Sequence, residues 1–103
     1  MRIIAKIVDM IDDELEGAEE YADLAYEQKP HNPRLADKLI ELAEVEMGHV
    51  KILHGEATKL IEEVRQKDGE PPASMMAVYE YEHGKQIKRA AMIRQLITDY
   101  RNG

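Results

Sequence analysis

The placement of proline limits this chain more than any other sequence feature, because all four prolines fall in two short segments. They are Pro30, Pro33, Pro71 and Pro72. A proline cannot donate the hydrogen bond that a helix interior requires, and it pushes the preceding residue out of the helical conformation. The two segments therefore divide the chain into three long stretches. Apolar residues recur every three or four positions in each stretch, which predicts helices over about residues 3–28, 33–67 and 74–100.

The two interruptions also contain residues that usually end and begin helices. Asn32 is a natural N-cap, because its side chain can accept a hydrogen bond from the start of the next helix, and Pro33 suits the first helical position. Gly69 favours a left-handed turn after the second helix. Ser74 or a neighbour is expected to begin the third. The sequence predicts an all-α fold in a single domain over residues 1–103.

Composition narrows the range of partners. Fourteen Lys and Arg against 21 Asp and Glu give a formal charge of −7. An acidic chain without a basic run lacks the surface that nucleic acid or anionic lipid requires, so cations or proteins are the expected partners. No apolar run approaches the roughly 20 residues that cross a bilayer, and charge begins at Arg2, too early for a signal peptide. We expect a cytoplasmic protein that binds neither nucleic acid nor membrane.

The absence of cysteine limits the chemistry that the chain can perform. With no cysteine in the sequence, disulfides, thiolate zinc sites, iron–sulfur clusters and cysteine nucleophiles are excluded. Any metal must be bound through oxygen or imidazole donors.

Three long helices in a chain of about 100 residues also carry more apolar surface than one chain can bury, so self-association is expected.

Three polar side chains fall on the apolar faces of the first two helices, where an unpaired carboxylate is costly. At about 100° of rotation per residue, Glu14 lies about 40° from the centre of the first apolar arc, with Tyr21 beside it. Glu46 lies within about 10° to 20° of the centre of the second arc, and His49 flanks the same face. These positions mark a candidate site.

The turn places the three side chains at one level. Glu14 is 16 residues before Pro30, while Glu46 and His49 are 13 and 16 residues after Pro33. In an antiparallel hairpin all three would lie roughly 20 to 24 Å from the turn. We expect them to meet.

A Glu that faces a Glu-x-x-His helix is half of the carboxylate di-iron constellation, in which two halves supply four Glu and two His. Iron suits this mixed oxygen and imidazole set, as do manganese and zinc. One chain supplies one half, so a second copy related by a two-fold axis is expected to complete it. Two other interpretations stay open: Glu14 and His49 form only a charge pair at an interface, or the hairpin is splayed and Glu46 is solvated.

The third helix repeats the motif with Glu80 and His83. In an antiparallel arrangement His83 and His49 differ by about seven residues, or roughly 10 Å, in height, so this pair is expected to miss the site. Glu82 lies on the apolar arc of the same helix, and Arg89, one heptad further, is its expected ion-pair partner.

Two other histidines are not expected to be ligands. His31 is interpreted as a turn residue and His54 as a residue on the flank of the second helix. The methionines are scattered and are interpreted as core filler.

Two segments resemble the encapsulated ferritins, a family of the ferritin-like superfamily. Residues 13–21 read DELEGAEEY and residues 41–49 read ELAEVEMGH. They are similar to the family's acidic stretch with a ligand Glu followed by Tyr, and to its Glu-x-x-His helix. The resemblance covers about residues 8–65. It implies a dimer that forms a ferritin-like four-helix bundle with a di-iron ferroxidase centre, a ring of dimers such as a decamer, and an encapsulin shell that holds the mineral.

The resemblance also implies roles for individual residues. Glu14 and Glu46 would bind or bridge iron, His49 would be the terminal ligand, and Tyr21 would lie near the centre. A secondary group of acidic residues would gather metal before it reaches the centre; they are Asp13 and Glu16. Manganese or zinc could substitute for iron, and calcium could take its place in crystals.

Two departures from the family pattern concern the secondary metal-entry site and the encapsulin shell. Glu20 stands where the family usually has tryptophan before the Tyr, and residues 97–103 do not resemble an encapsulin-targeting peptide.

A rubrerythrin-like peroxide or oxygen reductase is a second enzyme interpretation, although a partner would have to supply the electrons because the chain has no rubredoxin cysteines. A helical oligomerisation module without enzyme activity is the third.

Overall fold

Three long helices make up the fold. The computed structural model describes residues 2–103, with α1 over Arg2–Gln28, α2 over Pro33–Asp68 and α3 over Ala73–Asn102. The all-α class and the three expected helices are confirmed, and the described residues contain no strand. Among the same residues, no helix combines the length and the apolar character that a membrane crossing requires.

The turn residues act locally as expected. The side chain of Asn32 accepts a hydrogen bond from the backbone N–H of Leu35 at 3.1 Å, and Pro33 occupies the first turn of α2. Gly69 ends α2 with a φ of +83°, a value that residues with a Cβ rarely adopt, and its N–H donates to the carbonyl of Arg65. The third helix begins at Ala73, beside Ser74, without a side-chain cap.

The first two helices form an antiparallel hairpin with a narrow interface. Small side chains dominate it, which lets the backbones approach closely, and the longer side chains pack above and below them. Fully buried interface residues include Ile11, Leu15, Ala18, Ala22, Ala25, Ala36, Ile40, Ala43, Val50 and Ala57. This close approach brings polar groups on the two helices within reach of each other.

The C-terminal end of α3 is fastened to the turn between α1 and α2. The buried Tyr100 donates its hydroxyl to Asp37 at 2.7 Å, and the ammonium of Lys29 lies 4.4 Å above the Tyr100 ring. Burial, aided by the Asp37 carboxylate, raises the pKa of Tyr100 to about 12. Tyr26 donates its hydroxyl to the carbonyl of Leu96 at 2.7 Å. The helix therefore runs back along the hairpin, packs mainly against α1, and ends beside the turn.

One buried polar side chain connects all three helices. Gln86 of α3, 2% exposed, donates to the Val8 carbonyl at 3.0 Å and to Asp12 Oδ1 at 2.9 Å on α1. Its own Oε1 lies 3.3 Å from Nε2 of His54 on α2. Both N–H donors of the amide and one acceptor position of its oxygen are then used. No residue of α3 between 73 and 85 is buried, so Gln86 is the first residue of the helix with a buried side chain.

The ion pair predicted between Glu82 and Arg89 is wrong. Lys85 Nζ lies 3.4 Å from Glu82 Oε1, and Arg89 Nε lies 3.7 Å from Glu19 Oε2 on α1. Residues seven apart are separated by about two helical turns, whereas Lys85 at i+3 lies beside Glu82. Both charges therefore find nearer partners.

His54 has a larger structural role than its position on a flank indicated. Its ring lies 4.9 Å from the ring of His83, edge to face, in addition to the contact with Gln86. Burial lowers the pKa of His54, and the neighbouring His83 and Arg94 add to the effect, while the hydrogen bond with Gln86 opposes it. His31 lies in the turn, as expected.

The lowered pKa of His54 predicts acid sensitivity. The unfolded chain binds this proton more readily than the folded protein, so the contribution to stability is fully present above the ordinary pKa of 6.5 and is lost as the pH falls towards the lowered value. Urea unfolding between pH 7.5 and pH 5 should show a larger loss for the parent than for His54→Gln. The matched variant His31→Gln should behave as the parent does, and equal losses in all three proteins would contradict the prediction.

Candidate metal centre

Three side chains that the sequence singled out lie together at one level of the hairpin. One donor atom each from Glu14, Glu46 and His49 can be chosen so that all three lie within 4.8 Å of one another. His49 Nδ1 is 3.2 Å from Glu14 Oε2 and 3.9 Å from Glu46 Oε1. Within residues 2–103, no other three acidic or histidine side chains form such a group. The splayed hairpin considered at the sequence level does not occur.

The helix interface explains why these groups meet. Glu14 stands beside the buried Leu15 on α1, and Glu46 stands beside the buried Met47 on α2. The short turn sets the register, and the small side chains between the helices bring the two backbones close. The carboxylates are thus held at the edge of the core, because their immediate neighbours are packed inside it.

The group is open on one side. The side chains of Glu14 and Glu46 are 27% and 24% exposed, and that of His49 is 48% exposed. Gly17 of α1 lies next to Glu46, since a Cβ built at Gly17 would be 3.4 Å from Glu46 Oε2. The two oxygens of Glu46 therefore have different surroundings.

The two carboxylates compete for one proton. The hydrogen bond with Glu14 raises the pKa of Glu46, with burial and the Glu14 charge adding to the effect and His49 opposing it. The same hydrogen bond, with help from His49, holds the pKa of the Glu14 carboxyl below its ordinary value against the effect of burial. When the pair holds one proton, Glu46 therefore binds it more readily than Glu14 does. A cation can replace a proton at such a place.

The donor set suits a transition metal. Two carboxylates and one imidazole match the preferences of Fe²⁺, Mn²⁺ and Zn²⁺ in proteins. These metals take four to six donors, whereas the chain presents three side chains. The arrangement can therefore start a coordination sphere but needs further donors to complete it.

Apolar side chains surround the open side. On α1 the exposed residues Ile3, Met10 and Leu24 belong to one seven-residue repeat, and Gly17 occupies the remaining position of that repeat. Exposed apolar residues on α2 keep the same spacing. Leu35 and Leu42 form one series, which His49 continues. Val45 and Ile52 form a second series. A seven-residue spacing keeps side chains on one helix face. We call these seven residues the hairpin face; they flank the three polar donors.

The other residues of the predicted site lie in different surroundings. Tyr21 is half-buried and packs against the core. Asp13 is exposed. Glu16 lines a separate cleft between α1 and α3, where Lys85 and Arg89 are among its neighbours. The roles of these three residues in metal chemistry stay predictions.

The second Glu-x-x-His pair is separate from the site, as the height count predicted. Glu80 is exposed, while the His83 ring stacks on Tyr79 with centroids 5.6 Å apart and contacts His54. The network of His54, Gln86 and Asp12 was not predicted from the sequence. The feature that could have indicated it is Gln86, a single polar residue on the same face of α3 as the buried Ala90 and Ile93.

Comparison with protein-family models, with curated proteins and with solved structures gives no match for this chain. Its function is therefore argued from the geometry of the site and from the sequence resemblance described above.

The repulsion between the two carboxylates, once the pair has lost its proton, predicts that the site destabilises the metal-free fold. A raised pKa of Glu46 means that its contribution to stability is present below the ordinary value of 4.5 and is lost as the pH rises through the raised pKa. Glutamine is a permanent neutral donor, so metal-free Glu46→Gln should melt a few degrees above the parent at pH 7, with the gap closing near pH 4. Thermal melts followed by circular dichroism measure this.

The control for that comparison is Glu63→Gln, at an exposed position of the same helix. It should melt with the parent at both pH values. A Glu46→Gln protein that melts at or below the parent temperature at pH 7 would show that the carboxylates do not repel each other.

Proposed function

We propose that this protein is a ferroxidase, which oxidises Fe²⁺ to Fe³⁺ at a two-iron site shared between two copies of the chain. The observation that carries the proposal is the group of Glu14, Glu46 and His49, with donor atoms within 4.8 Å of one another on an exposed face of the hairpin. The two copies form a ferritin-like four-helix bundle. The cellular purpose is iron storage or detoxification.

The need for a second copy follows from what one chain lacks. One hairpin supplies three side-chain donors, and two hairpins related by a two-fold axis supply four Glu and two His, the set that di-iron carboxylate proteins use. The hairpin face surrounds the open side with exposed apolar residues, such as Met10 and Leu42, that lose contact with water when another hairpin covers them. The same contact would complete the site and bury this surface.

Each side chain has a definable task in the reaction. Glu14, whose pKa is lowered, stays ionised and attracts the Fe²⁺ substrate. Glu46 would hold the two ions through its carboxylate oxygens. His49 would offer a ring nitrogen. Two Fe²⁺ ions each lose one electron to dioxygen, which leaves as hydrogen peroxide after taking up two protons.

The oligomerisation module without enzyme activity is the main rival. The contact of 3.2 Å between His49 Nδ1 and Glu14 Oε2 is what such a module would use as a charge pair. Glu46 argues against it, because a second carboxylate beside Glu14 adds repulsion to an interface that has no cation. A cation removes that repulsion. The donor set therefore favours a metal site.

Further expectations come from the sequence resemblance alone. They are the ring of dimers, the encapsulin shell as a partner, and a location in the cytoplasm inside such a compartment. A peroxide or oxygen reductase of the rubrerythrin kind would use the same three ligands, and it needs an electron-donating partner because the chain has no cysteine.

Anaerobic titration with Fe²⁺ followed by air tests the proposal. We expect saturation near two Fe²⁺ per two chains and then an absorbance rise from the ferric product. Glu46→Ala should abolish uptake while helical content is kept, because it removes the central donor from a partly exposed position. Glu80→Ala is the matched control, since it alters the other Glu-x-x-His motif, and it should titrate as the parent does.

Two results would overturn the assignment. One is a parent protein that dimerises but takes up no iron, which is what the oligomerisation module predicts. The other is a Glu46→Ala protein that oxidises Fe²⁺ as fast as the parent, which would place the chemistry elsewhere.

A further inference from the structure

Among the helical glycines of the described chain, only Gly17 would bring an added Cβ within 4 Å of a proposed ligand on another helix. A Cβ built there would lie 3.4 Å from Glu46 Oε2 and 3.8 Å from Glu46 Cδ. The other helical glycines would place a Cβ in open space, with nothing within 4 Å. They are Gly48, Gly55 and Gly84. A side chain at position 17 would thus add atoms beside the Glu46 carboxylate, and a side chain at the other positions would add none there.

The local geometry gives the two oxygens of Glu46 separate roles. Oε1 is directed towards His49, with Nδ1 at 3.9 Å, whereas Oε2 lies over the bare backbone of Gly17 on the opposite helix. A carboxylate that binds one cation can use one oxygen or both, whereas a carboxylate that bridges two cations commonly offers a separate oxygen to each. The free space beside Oε2 is therefore the place where a second cation can approach.

Both helix energetics and packing disfavour glycine at this position. Glycine in a helix interior is less stable than alanine, because it loses more backbone freedom on folding. Position 17 also continues the exposed apolar series of Ile3, Met10 and Leu24, in which every other member has a large side chain. The missing side chain leaves a gap in the hairpin face at the level of the carboxylates.

We propose that Gly17 determines the metal stoichiometry of the site, because its missing side chain leaves Glu46 Oε2 free to engage a second cation. This inference rests on the proposed function, since it concerns the same carboxylate. It assigns Gly17 a positioning role that acts through Glu46. A methyl group at position 17 would occupy the approach to Oε2 without contacting His49 or altering the donors themselves.

Zinc binding measured by isothermal titration calorimetry tests this inference without any oxidation step. The parent should bind about one Zn²⁺ per chain, which is two for each pair of chains. Gly17→Ala should bind about half as much, or should bind the second ion at least about tenfold more weakly, as changes next to metal ligands commonly do. Gly48→Ala and Gly55→Ala are the matched controls, because they make the same helix-favouring change where the Cβ meets nothing.

The outcomes separate this inference from the proposed function. If Gly17→Ala binds Zn²⁺ with the stoichiometry and affinity of Gly48→Ala, the role of Gly17 is refuted while the metal site stands. If the parent itself binds no Zn²⁺ and no Fe²⁺, both proposals fall. Circular dichroism should show that all three variants keep the helical content of the parent, and Gly17→Ser provides a second substitution with the same expected loss.

Discussion

The repulsion between two carboxylates held together across the hairpin is the constraint on which the account of this molecule depends. Glu14 and Glu46 approach each other because the helices around them are packed through small buried residues such as Ala18 and Ala43. The side chains cannot move far apart without leaving the level set by the turn. A bound proton relieves the repulsion at low pH, and a divalent cation can relieve it where the proton is lost. The fold thus prepares a place for positive charge.

The third helix gives the hairpin two unequal sides. One side is covered by α3, which is fastened by Tyr100 beside the turn and by Gln86 in the middle. The other side keeps the three donors and the apolar hairpin face exposed. Because α3 already covers one side, a second hairpin has one apolar side left to bind. The same asymmetry leaves Glu14, Glu46 and His49 on the surface where, in the proposed function, a second copy would add its own donors.

Much of this could be predicted from residue spacing, and the exceptions share a cause. The positions of the prolines and the helical repeat of apolar residues were enough to predict three helices. The constant rise per residue was enough to predict that Glu14 and His49 lie at the same height. The partners of Gln86 could not be predicted, since Asp12 is 74 positions away and meets it only after α3 packs. Arg89 pairs with Glu19 for the same reason. Which face of α3 packs against the hairpin could not be predicted, because its apolar residues lie on several sides of the helix. Ile93 is buried while Ile87 and Met92 are exposed.

A crystal structure of the protein grown anaerobically with ferrous salt, with data collected at the iron absorption edge, distinguishes an iron site between two chains from a metal-free interface. We expect two anomalous peaks between two copies of the chain, each bonded to Glu14, Glu46 and His49, with the apolar hairpin faces in contact around them. An interface without iron, or carboxylates that face bulk solvent while iron binds at another place, would refute the proposed shared site.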